Sequence, residues 1–140
     1  MGLFILDEQL AAAELLAPLR KKLKVGRLPE LRPGEHIFDD RVPEILRTLK
    51  QPTFITIDED FWDRRLCHPN YAIFYFALPD HQQEQLPSLL FRLLRIPEFR
   101  STAERAGKVL RVAKAQISYW QFPGNVQQQV SWPISRHKRR

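Results

Sequence analysis

Glycine is scarce in this chain: there are five, at positions 2, 26, 34, 107 and 124, and no two stand closer than eight residues. That spacing excludes G-x-G-x-x-G and G-x-x-x-x-G-K loops, whose backbone N–H groups cradle phosphates, so no nucleotide is held by a glycine-rich turn. A single cysteine, Cys67, rules out an internal disulfide and a multi-cysteine zinc cluster, and fits a reducing cytoplasm. Long apolar runs are missing too. The longest, Tyr71 to Leu78, falls far short of the roughly 20 residues that span a bilayer. The opening MGLFILDEQL has no basic stretch and meets acid at Asp7, which argues against a signal peptide. Position 6 is Leu6, so the Met-Gly start lacks a myristoylation site's hydroxyl.

What remains is one domain's worth of chain: 140 residues, 44% hydrophobic and 27% charged, near globular averages. Twenty-two basic against sixteen acidic residues give a net charge of +6. Four of the basic side chains lie in the last five residues, Arg136 to Arg140. Without them eighteen face sixteen, a balance of +2. The body is nearly neutral; the end is basic.

Hydrophobic patterning predicts alternating strands and helices. Leu3 to Leu6 is apolar throughout, as suits a strand buried on both faces. Leu10, Ala13, Leu16, Ala17 and Leu23 follow at helical spacing, with Pro18 expected to kink or split the helix. Residues 25–42 read as a connection with a short strand at His36-Ile37-Phe38. Pro43 is placed to open a helix through Lys50. Thr53 to Ile57 is a β-branched strand, and Tyr71 to Leu78 is the candidate central strand. Leu86, Leu89, Leu90, Leu93 and Leu94 mark a helix face, and 97–106 a short extra helix ended by Gly107. The alternating runs Lys108–Val112 and Gln116–Trp120 predict an edge hairpin. From Phe122 the pattern collapses, so 1–121 reads as the domain and 122–140 as a basic, flexible tail. The order predicts an α/β three-layer sandwich with a mainly parallel central sheet and an antiparallel C-terminal edge.

Sites in open α/β sheets form at the carboxyl ends of the parallel strands. Asp7 and Glu8 stand at the end of the first strand, and Asp58 and Asp60 at the end of Thr53–Ile57. Two residues apart in extended backbone, Asp58 and Asp60 point to one side. Should the strands be neighbours, these acids converge, with Glu44, Asp39 or Asp40 able to add another. Clustered carboxylates repel unless a cation joins them. An oxygen-only donor set suits Mg2+ or Mn2+, the ions of phosphodiester hydrolysis. Acids after strands also cap the next helix, and Asp7 and Asp60 can each do only that. Arg64 and Arg65 follow directly and are the cations best placed for a phosphate backbone, beside Trp62 as a base-stacking ring.

These elements resemble the small PIN-like nuclease domains of the toxin–antitoxin type, over roughly residues 3–120. The resemblance rests on L-D-E-x-L at Leu6 to Leu10, the helix start Glu44-Ile45-Leu46 and T-x-D-x-D-F at Thr56 to Phe61. A histidine-containing loop, His68-Pro69, then leads to the apolar strand around Ile73. It implies a divalent-metal-dependent endoribonuclease, with Asp7, Asp58 and Asp60 as Mg2+ or Mn2+ ligands and RNA as substrate. A small antitoxin-like partner is a further expectation from the resemblance; apart from it, the apolar face Leu86–Leu94 is an expected core surface that a homodimer contact could also use. The family's acid three residues before the helix isoleucine falls on Val42 here. Either Glu44, or Asp40 after a local shift, completes the site, or the domain is a degenerate module that binds RNA or a protein without cutting.

Overall fold

The computed structural model describes residues 2–10, 12–35 and 37–133. It is an α/β fold built on one mixed sheet of seven strands. In chain order these are β1 (Leu3–Leu6), β2 (Lys24–Arg27), β3 (Thr53–Thr56), β4 (Ala72–Phe76), β5 (Lys108–Val112), β6 (Ile117–Gln121) and β7 (Gln127–Val130). Across the sheet the order is β2-β1-β3-β4-β5-β6-β7. The first five run parallel, and β6 and β7 are antiparallel additions. The helices are α1 (Ala12–Arg20), α2 (Leu28–Leu31), α3 (Val42–Leu46), α4 (Leu86–Leu93), α5 (Pro97–Arg100) and α6 (Thr102–Arg105).

Period-two alternation divides the sheet's side chains between two cores. One face carries Phe4, Leu6, Ile55, Phe74, Phe76 and Leu110 under Leu15 and Leu19 of α1 and Leu86, Leu89, Leu90 and Leu93 of α4. The other carries Ile5, Phe54, Ile73 and Val109 under Leu28 of α2 and Val42, Ile45 and Leu46 of α3. The result is the three-layer sandwich that the alternating elements predict. β4 is the fourth of seven strands and buried along its whole length, as its unbroken apolar run requires.

Several boundaries differ from the sequence reading. The second strand is Lys24–Arg27, not residues 36–38. Ile37 is an anchor in the core rather than a strand residue, and His36 lies outside the described residues. A four-residue edge strand centred on Gly26 has too few apolar positions to show a period. Helix α1 runs through Pro18 and ends two residues later. The expected helix over 97–106 is two single turns, separated by extended backbone at Ser101, whose hydroxyl accepts from Glu104 N.

The expected hairpin is present, but β5 is an interior strand and the edge is β7. The boundary at 121 therefore moves. Gln127–Val130 pairs along β6, and Trp132 donates from Nε1 to Ala113 O at 2.8 Å. Three glutamines hide this strand because backbone pairing, not an apolar face, carries it. The basic run Arg136–Arg140 lies outside the described residues.

Candidate metal centre

The chain leaves β1 toward one side to make β2, then returns on the other side of β1 to make β3. Connections therefore diverge above β1 and β3, the switch point where doubly wound sheets leave a crevice. Leu6 pairs with Ile55, so the next residues, Asp7 and Thr56, come side by side. Thr56 Oγ1 donates to Asp7 Oδ2 at 2.7 Å and accepts from Asp58 N at 3.0 Å. One hydroxyl thus fixes both the first acid and the backbone that carries the second.

Beyond Thr56 the chain does not stay extended. Asp58 caps a 3-10 turn, Glu59–Phe61, and its Oδ1 accepts from Asp60 N at 2.9 Å. Phe61 is buried edge-on against Phe54 at 5.1 Å, which pins the turn to the sheet. Asp58 and Asp60 are on one side, but the turn brings them there rather than strand alternation. A second 3-10 turn, Asp39–Arg41, precedes α3 and delivers Asp39. One carboxylate oxygen from each of Asp39, Asp58 and Asp60 lies within 4.8 Å of the others, a set able to hold a metal ion.

Asp7 stands behind this triad, 3% exposed. Burial pushes its carboxyl up to about 6, with the charges of Asp39 and Asp58 adding and the Thr56 hydrogen bond opposing. Asp39 is also raised, by partial desolvation and then by Asp58, Asp60 and Glu8. Among the described residues none of these four aspartates joins a Lys or Arg in an ion pair. Three acids converge with Asp7 buried beside them, and among the described residues no protein cation is paired with any of the four. The donor set is all oxygen, and the mutual repulsion is what a bound cation relieves, so the residues present fit a hard divalent ion.

Glu44 does not join. It sits on an exposed part of α3, outside the triad, because Val42, Ile45 and Leu46 are the helix positions turned to the core. Val42 is 1% exposed and packs in the apolar core with Ile45 and Leu46. The third carboxylate of the triad comes from the preceding turn, as Asp39 rather than Asp40, and the irregular 3-10 geometry leaves no spacing signal for choosing between them. Cys67 is half-buried, and desolvation pushes its thiol up to about 11, far from the range of a nucleophile.

The two expected phosphate ligands differ. Arg65 is engaged by Asp63 through Nε at 3.0 Å and a terminal nitrogen at 2.7 Å. Arg64 lies over the Trp120 ring at 5.7 Å, in no ion pair among the described residues. Sequence reasoning missed two further residues beside the acids, Tyr75 and Arg111. Register places them in line with Thr56 across β4 and β5. Tyr75 is one of two hydroxyls in the long apolar run of β4, and Arg111 is the polar position of an alternating strand; those were the available signals. No protein-family model matches the chain, and comparison with curated proteins and with solved structures finds no match either.

Proposed function

We propose that this chain is a PIN-like, divalent-metal-dependent endoribonuclease. The observation that carries the reading is the triad Asp39, Asp58 and Asp60 with Asp7 buried beside it at the β1/β3 switch point, none of the four in an ion pair among the described residues. Asp39, Asp58 and Asp60 would hold Mg2+ or Mn2+, with Asp7 behind them adding charge. When bound, such an ion lowers the pKa of a water and neutralises charge on phosphate oxygens. Thr56 keeps Asp7 and the Asp58 backbone in fixed relation, so the acids are positioned before any ligand arrives. Asp39 supplies the carboxylate that Val42 lacks, which favours a cutting enzyme over a degenerate binding module. Carboxylates alone do not choose a substrate; RNA rests on the family resemblance and on the nearby arginines.

The test is single-stranded RNA cleavage with Mn2+, by the native chain and by Asp58→Asn. Loss of cleavage by at least about 100-fold is expected, the scale on which removing a group that stabilises transition-state charge acts. Unchanged cleavage refutes the site. A toxin role and a cytoplasmic location follow from the resemblance and from the single half-buried thiol; co-purification of a small partner encoded alongside tests the former.

A further inference from the structure

The acids occupy one end of a row that crosses the sheet. Asp7 lies beside Thr56, and pairing then aligns Thr56 with Tyr75, Tyr75 with Arg111, Arg111 with Ser118 and Ser118 with Gln129. All share the face that carries Ile5, Phe54, Ile73 and Val109 one register back. Those apolar residues are roofed by the segment after β3, which folds down through Phe61 on Phe54 and through Trp62, whose ring meets Trp120 at 6.4 Å. Cys67 Sγ also reaches Trp120 O at 3.6 Å. The polar row lies one register further along the same face. It is a strip with a floor of buried Tyr75 and Ser118, from which half-exposed Arg111 and exposed Gln129 rise.

Charge runs in one order along the strip. Acids stand at the β3 end; Arg111 follows two strands away, about 10 Å at the usual strand spacing; Arg64 and the Trp62–Trp120 ledge stand along its side. Neither Arg111 nor Arg64 joins a carboxylate in an ion pair among the described residues. Burial raises the Tyr75 phenol, Glu59 and Asp58 add to this and Arg111 opposes it, so the phenol lies in the field of both ends.

We infer that this strip is the path of a single RNA strand into the acidic site, with Arg111 gripping the phosphate beside the acids and the Trp62–Trp120 ledge stacking an unpaired base. Free cations beside half-exposed aromatic rings are the means by which proteins hold single strands without reading sequence. An unpaired base has a free face for the ledge; a duplex does not. The inference rests on the proposed nuclease reading for its substrate, but binding tests it separately from cutting.

The experiment measures anisotropy of a fluorescent single-stranded oligoribouridylate against the full chain, in EDTA and at low ionic strength. Arg111→Gln is expected to weaken binding about tenfold and to reduce the slope of log affinity against log salt by about 0.7, the share of one phosphate contact on a single strand. Trp120→Phe keeps an aromatic core and should bind nearly as the native chain does, while Trp120→Leu should lose about tenfold. Lys24→Gln, at the opposite end of the strands, should change nothing.

Equal losses from Lys24→Gln and Arg111→Gln would overturn the path. So would native affinity in Arg111→Gln, displacement by polyglutamate as effective as by unlabelled RNA, or no RNA binding by the native chain. Binding that follows these expectations while Asp58→Asn leaves cleavage unaltered sinks the nuclease reading and keeps the path. Cleavage lost in Asp58→Asn with binding indifferent to Arg111 and Trp120 does the reverse.

Discussion

Replacing Asp7 by Asn should make the metal-free protein more stable at neutral pH. A carboxyl that titrates near 6 folded and 3.8 unfolded binds more protons in the folded state between those values. Stability therefore falls as pH rises through that window, the reverse of a salt-bridged aspartate. At 1.36 kcal/mol per pH unit of separation, the ionised Asp7 costs the folded chain about 3 kcal/mol at pH 7. Asn cannot ionise, and its amide oxygen can still accept from Thr56 Oγ1, the partner of Asp7 Oδ2. Its –NH2 needs acceptors that a carboxylate did not, which offsets about 1 kcal/mol of the gain.

The net is about 2 kcal/mol. For 140 residues the unfolding entropy is about 0.3 kcal/mol/K, so Tm should rise by about 7 °C. The assay is a thermal melt of the native chain and Asp7→Asn in EDTA, from pH 4 to pH 8. The gain should be full at pH 7.5, fade through pH 6 and be gone between about pH 4 and pH 5, where the folded Asp7 is neutral. A lower Tm for Asp7→Asn at pH 7.5, or a gain of the same size at pH 4, refutes the account of a buried, uncompensated charge.

Mn2+ at about 100 times its Kd should raise Tm by about 9 °C, from 2.7 kcal/mol of linkage and the same entropy. That shift should vanish in Asp58→Asn and Asp39→Asn and persist in Glu44→Gln, as calorimetry would show. Thr56→Val removes the donor that holds Asp7 down, so the midpoint of pH-dependent stability should move above about 6. Gly124 has a φ of +94°, and a Cβ there would stand 2.9 Å from Arg64 O. Gly124→Ala should cost roughly 1–3 kcal/mol in urea denaturation. Arg105→Met should cost about 3 kcal/mol or more by the same measure, because its guanidinium, 1% exposed, donates to Phe99 O, Arg100 O and Thr53 Oγ1.

The layers were readable because long apolar runs and helical periods are burial written into sequence. β1, β3 and β4 are apolar on both faces, and α4 repeats its leucines every three or four residues. What failed to show was structure held by backbone or by single contacts. β2 turns on Gly26, and β7 is glutamine paired through its peptide groups. The site divides in the same way. Asp7 and Asp58 follow strand ends, so topology alone brings them together. Asp39 arrives on a turn that Ile37 and Val42 anchor from either side, and such irregular backbone has no period to read. Arg111 and Tyr75 become neighbours of the acids only once register is known.

Strand β3 carries a buried polar residue at each end, and the contrast between them separates a structural charge from a chemical one. At its start, Thr53 accepts from Arg105, whose guanidinium also meets two carbonyls and the Phe4 ring at 4.8 Å. That cation is compensated by neutral acceptors, and removing it only destabilises. At its end, Thr56 and the Glu8 backbone N–H donate to Asp7, but burial and the nearby acids Asp39 and Asp58 outweigh them. A fold selected for stability alone has no reason to keep that arrangement, since an amide would serve better at neutral pH. Under the proposed metal site a cation completes the acids, and substitutions should then act with opposite signs. Asp7→Asn should raise Tm without metal and shrink the Mn2+ shift, whereas Arg105→Met should lower Tm equally with and without the ion. Equal behaviour of the two variants would leave the acids as an accident of topology.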